Sequence, residues 1–129
     1  MKAITADVQP SAGPRDLLQI ILDSLDADKA IDATVIELEG KTTLADFMVV
    51  ATGTSKRHIL AMAEKLRDRL KHAGIGPVEA EGLEEASWVL LDAGDVIVHL
   101  FRAETRALYD IERLWSVAPP QRLATGASR

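Results

Sequence analysis

Two apolar runs separated by three turn-forming residues constrain this chain most. Ser87 to Leu91 and Asp95 to Phe101 flank Asp92-Ala93-Gly94, a spacing that reads as a β-hairpin. With Ala93-Gly94 as the loop, Asp92 falls opposite Asp95, Leu90 opposite Ile97 and Trp88 opposite His99. Side chains alternate along a strand, so these six share one face. Val89, Leu91, Val96 and Val98 share the other, which is purely aliphatic and reads as core. Ala93 suits the positive φ of a primed turn poorly, and a longer loop would loosen the register at its Asp end.

The remaining elements follow from periodicity. Pro14 opens a helix whose Leu17, Leu18, Ile21, Leu22 and Leu25 recur at helical spacing to about Ala27. Val35 to Leu38 alternate as a short strand closed by Gly40-Lys41. Asp46 to Thr52 is almost continuously apolar, as in a strand buried on both faces. Thr54 or Ser55 caps a helix to about His72, with Ile59, Met62, Ala63, Leu66 and Leu70 as its apolar stripe. Gly74, Gly76 and Pro77 end it, and a short strand is expected near Val78. Thr105 to Ser116 reads as one final helix stopped by Pro119-Pro120. The predicted fold class is α/β: a single-domain sandwich with a mixed sheet of about five strands and flanking helices. Residues 14–117 form the domain, 1–13 a flexible arm and 118–129 a disordered tail.

Composition narrows the chemistry. The 129 residues carry a net charge of −5, whereas a general nucleic-acid binder is normally basic. A basic protein partner fits better, and direct DNA binding is not expected. The absence of cysteine from the sequence removes disulfides, thiol catalysis and cysteine metal sites. No apolar run approaches the roughly 20 residues that span a bilayer, and no targeting segment is legible, so a cytoplasmic protein without membrane contact is expected.

The mixed hairpin face has two readings. Trp88 is an aromatic anchor beside carboxylates that face a cationic partner. Alternatively, Trp88 and Ile97 pack under the final helix and His99 is a satisfied core histidine. Asp92, Asp95 and His99 match no stringent metal or acid–base motif. Thr52-Gly53-Thr54-Ser55 lacks the Lys of a phosphate-binding loop and reads as a capped strand–helix turn. The basic residues of the second helix go around it and read as a solvated face. Glu79, Glu81, Glu84 and Glu85 form an acidic cluster beside Trp88.

A resemblance adds to these readings. Glu81-Gly82, Trp88, Asp92, Gly94-Asp95, Val98-His99, Arg106, Tyr109, Glu112 and Leu114-Trp115 resemble the signature of the ribosomal silencing factors, the Iojap-like proteins called RsfS. Asp46 to Ser55 with Arg57-His58 is similar to that family's other fixed stretch. The resemblance spans roughly residues 15 to 116. It implies an α/β sandwich distantly like nucleotidyltransferases, with no enzymatic activity and no cofactor. It implies binding to the large ribosomal subunit through a basic protein, the one numbered fourteen in bacteria. Joining of the small subunit is then blocked and translation falls when nutrients are short. Homodimers are common in such proteins. Carried onto this chain, the partner-binding residues are Glu81, Gly82, Trp88, Asp92, Gly94, Asp95 and His99. The competing class is a nucleotidyltransferase-like enzyme, which needs paired catalytic Asp on a strand after its turn. No Asp-x-Asp follows Thr54-Ser55. A plain dimeric scaffold is the third reading.

Overall fold

The computed structural model describes residues 13–116. The expected arm and tail lie outside these residues, apart from Gly13, which is the N-cap of the first helix. The elements in chain order are α1 (Pro14–Ala27), β1 (Ile31–Glu37), β2 (Phe47–Gly53), α2 (Lys56–His72), β3 (Glu79–Glu81), β4 (Trp88–Asp92), β5 (Val96–Arg102), α3 (Ala103–Tyr109) and α4 (Ile111–Ser116). They build the expected α/β sandwich on one five-stranded sheet ordered β1-β2-β5-β4-β3. The sheet is mixed: β2 and β5 run parallel, and the other three neighbouring pairs run antiparallel.

Every residue of β2 is buried, which explains its unbroken apolar sequence. Its alternate residues serve two separate cores. Phe47, Val49 and Ala51 join Val89, Leu91, Val96, Val98 and Leu100 beneath α1 and α2. Met48 and Val50 face the other way and join Ile36, Leu38 and Phe101, with Trp88, Ile97, Ile111 and Trp115 packed against them. The aliphatic hairpin face therefore is core, as its pattern predicts. Ser55 rather than Thr54 caps α2, its Oγ accepting from the His58 N–H at 3.1 Å. The basic face of α2 is partly structural: Arg69 donates to Ser24 and Asp28 of the α1 end, and Arg67 to the Val78 carbonyl.

Two expectations need correction. The hairpin pairs Trp88 with Phe101, Leu90 with His99 and Asp92 with Ile97, two residues out of the expected register. The tight loop is Gly94-Asp95, closed by the Ala93 N–H donating to the Val96 carbonyl at 3.0 Å. Gly94 takes the positive φ of 87°, so Ala93 avoids it and stays with its strand. A shift of two leaves every side chain on its predicted face, because the pleat repeats every two residues. Second, the final helix is two, broken at Asp110, which sits in the left-handed region at φ 47°, ψ 46°. The short strand expected near Val78 forms as β3, at Glu79–Glu81.

That break is held by Arg106. Its guanidinium donates to Glu112 at 2.8 and 2.9 Å, to Thr52 Oγ1 at 2.7 Å and to Thr34 Oγ1 at 3.2 Å. The fork ties α3 to α4 and both to β1 and β2. The Glu112 carboxyl is lowered by its hydrogen bond from Arg106. Only 14% of the Arg106 side chain and 25% of the Glu112 side chain are exposed, so removing one partner leaves the other poorly solvated. Arg106→Ala should cost about 2 kcal/mol, since it orphans one ion and two hydroxyls. Urea unfolding of the variant reads this directly, and an unchanged midpoint would refute it.

Candidate functional site

The second face of the sheet is only partly roofed. α4 packs over β1, and α3 over β5 and β2. The β4–β3 edge keeps its polar residues in solvent, and Glu79, Glu81 and Asp92 are exposed there. Glu79 pairs with Asp92, and Glu81 with Leu90. Paired residues share a face, so Glu79 and Asp92 form a like-charge cross-strand pair, which is mildly destabilising. The expected opposition of Asp92 and Asp95 does not occur. Asp92 Oδ1 instead accepts from the Gly94 N–H at 2.9 Å, and Asp95 sits in the turn. Short length and two glutamates also blunt β3 against pairing with another sheet edge.

Beside this acidic edge lies a shallow groove of about 280 Å³ lined by Glu81, Gly82, Trp88, Leu90 and His99. Four of the seven residues expected to bind a partner line it. Asp92, Gly94 and Asp95 lie away along the hairpin, exposed toward its turn. Leu90 is not among the expected site residues, although it lies two positions from Trp88 on the same strand face. Tyr109 is also absent from them. Its ring stands 4.9 Å from the Trp88 ring and comes from α3, so no local pattern announces it.

Trp88 is hemmed in on three sides. Ring centroids of Phe101, Tyr109 and His99 lie 5.0, 4.9 and 5.9 Å away. Its indole N–H donates to His99 Nδ1 at 2.9 Å. His99 is 8% exposed, so it is a core histidine, partnered at Nδ1 alone, and it lines the groove as well. Because Nδ1 accepts, the neutral ring carries its proton on Nε2. Among the described residues no acceptor is hydrogen-bonded to that Nε2. Burial pushes the imidazole down from 6.5 to about 4, so it stays neutral at ordinary pH. Asp92, Asp95 and His99 do not converge: among the described residues no group of three or more His, Asp or Glu is placed to hold a metal ion. Trp115 is half-buried against the second core, and its carbonyl accepts from Lys41 Nζ at 2.7 Å.

Gly82 shapes the groove wall. Its φ is +87°, and a Cβ there would stand 2.2 Å from the Trp88 carbonyl oxygen. Only glycine allows the turn after β3 to approach β4 so closely. Gly82→Ala should therefore cost about 2 kcal/mol from left-handed strain and the backbone clash together. Melting curves test this, and an unshifted midpoint would mean the turn can retreat freely.

Comparison with known proteins agrees with this architecture. The family profile described as "Ribosomal silencing factor during starvation" matches residues 11–128. A ribosomal silencing factor RsfS of Zymomonas mobilis is 51% identical over 107 residues, covering 83% of this chain and 80% of its own. A mouse protein named "Mitochondrial assembly of ribosomal large subunit protein 1" is 30% identical, covering 86% of this chain and 53% of its own. A crystal structure of a Chromobacterium violaceum protein superposes with a TM-score of 0.80 at 35% identity, covering 90% of this chain and 97% of that one. The match over nearly the whole sequence, and over the fold that carries the groove, places this chain in the ribosomal silencing factor (RsfS, Iojap-like) family.

Proposed function

We propose that the protein silences ribosomes by docking its groove face on the large subunit, through a basic ribosomal protein, and by blocking the small subunit sterically. The bacterial large-subunit protein numbered fourteen is the partner that the family resemblance suggests. One observation carries the docking surface. The face that α3 and α4 leave open combines a half-buried Trp88 with the exposed acids Glu79, Glu81 and Asp92, and Asp95 is exposed in the adjoining turn. Aromatic area gives such an interface its affinity, and charge of one sign sets its register and encounter rate. The like-charge pair of Glu79 and Asp92 is a standing cost that a partner cation would relieve. Steric occlusion asks for no catalytic group and no cofactor, so the reading is of a non-enzymatic factor acting in the cytoplasm. Self-association is a second expectation: Leu108 and Leu114 are each 75% exposed on the short helices.

Co-sedimentation tests the reading. The protein should pellet with purified large subunits and not with small ones, and should inhibit their joining. Equal binding to both, or undisturbed joining at saturating protein, would overturn it. The mass in sedimentation equilibrium decides the self-association.

A further inference from the structure

Trp88 is a wall and not a plug. A protruding anchor would offer its indole edge to the partner, but this indole N–H is already spent on His99 Nδ1 at 2.9 Å. The rings of Phe101 and Tyr109, tilted 32° and 42° to the indole and about 5 Å from it, cover part of its surface. What remains for a visitor is apolar indole surface beside Leu90, with the Glu81 carboxylate and the open Gly82 turn at the rim. His99 also lines the groove and is nine-tenths buried; its ring is hydrogen-bonded at Nδ1, and its Nε2–H has no acceptor among the described residues. Apolar indole and leucine surface, an exposed carboxylate and a lone donor in one shallow groove describe one kind of occupant.

The geometry points to a single Lys or Arg residue of the basic partner protein seated in this groove. Its aliphatic stem lies along Trp88 and Leu90, its cationic head meets Glu81, and its main-chain carbonyl accepts from His99 Nε2. Long basic side chains bury their stems on apolar surface while keeping the head solvated, and a cation over indole is attracted by the ring. His99 acts as a positioning residue. By accepting the indole N–H it fixes the ring plane that forms the wall, and it does so only while Nδ1 is unprotonated. This rests on the docking reading above and names the chemistry of its contact.

The test separates the two. The Trp88 indole N–H signal, assigned by its loss in Trp88→Phe, is followed by NMR as Nα-acetyl-lysinamide or Nα-acetyl-argininamide is added. Nα-acetyl-norleucinamide, with a similar stem and no charge, is the control. At least one cation should give a saturable shift and norleucinamide should not. Glu81→Gln should weaken the response about threefold to fivefold, the upper end of what one exposed ion pair contributes. His99→Leu should abolish it, while His99→Asn, which keeps an acceptor near the Nδ1 position, should restore most of it. An equal response to norleucinamide, an unchanged response in Glu81→Gln, or no saturable response to either cation overturns the inference. Large-subunit co-sedimentation runs beside it. If wild type and Glu81→Gln bind subunits equally while no cation is taken, docking stands and the groove assignment falls. If the cation is taken but the subunit is not, the groove assignment stands and the docking reading falls.

Discussion

Trp88→Ala is expected to lower folding stability by about 3 kcal/mol and large-subunit affinity by at least about tenfold. The stability loss has two parts. The indole packs against Phe101, Tyr109 and His99, so truncation opens a cavity that β-strand neighbours cannot fill. It also leaves the buried His99 Nδ1 without its donor, an orphaned acceptor worth about 1–3 kcal/mol by itself. For a domain of this size the melting midpoint should fall roughly 12 °C. Binding must be compared at a temperature where both proteins are folded. Glu81→Lys separates the roles, because Glu81 is exposed and its reversal removes no packing. It should weaken subunit binding, most at low salt, and leave the melting curve within about 0.5 kcal/mol of wild type. Asp92→Lys is a less clean probe, since Asp92 Oδ1 also caps the turn at Gly94. A Trp88→Ala protein that melts far below wild type, together with a Glu81→Lys protein that binds subunits normally, would mean that the face is structural alone.

The faces of the hairpin are legible from sequence, but its register is not. Alternation survives any even slip, so Val89, Leu91, Val96 and Val98 are core in either register. The register depends on which residue accepts positive φ. Gly94 does, and a glycine at the first central position suits the II′ turn that Gly94-Asp95 makes. Centring the loop on Ala93-Gly94 instead puts the glycine second and shifts the pairing by two. The break at Asp110 has a weaker signal. No Gly or Pro interrupts Thr105 to Ser116, and only the tolerance of Asp for the left-handed region hints at it. The groove divides in the same way. Glu81, Gly82, Trp88 and His99 lie close in sequence, so local patterns bring them together. Tyr109 reaches Trp88 through tertiary packing and leaves no trace in spacing. Whether Trp88 protrudes or lines a wall depends on where its N–H goes, which no pattern of residue types records.

Acid should unfold this protein through His99. In the unfolded chain the imidazole titrates near its ordinary value of 6.5, and in the fold burial lowers it to about 4. A lowered folded value means that the unfolded state binds the proton first. The stability tied to neutral His99 is thus fully present above pH 6.5 and is lost as pH falls toward 4. A tenfold difference in proton affinity between the two states is worth about 1.4 kcal/mol, so wild type should lose about 3 kcal/mol over that window. Glu112, held low by Arg106, adds a loss of the same sign. Its window begins only where carboxylates titrate, below the first part of the His99 transition. His99→Asn removes the imidazole and keeps Glu112, so the difference between the two stability–pH curves isolates His99. That difference should grow from pH 7 to pH 4, with wild type falling more steeply. Trp88 should report the same event, because a proton on Nδ1 leaves its N–H without an acceptor and frees the ring. Its indole resonance in the folded wild type should move only near pH 4, where the folded imidazole itself takes up the proton, at the lower end of the window of stability loss. Parallel curves for wild type and His99→Asn would show that the imidazole is hydrated in the fold and that its contact with Trp88 does not control the groove.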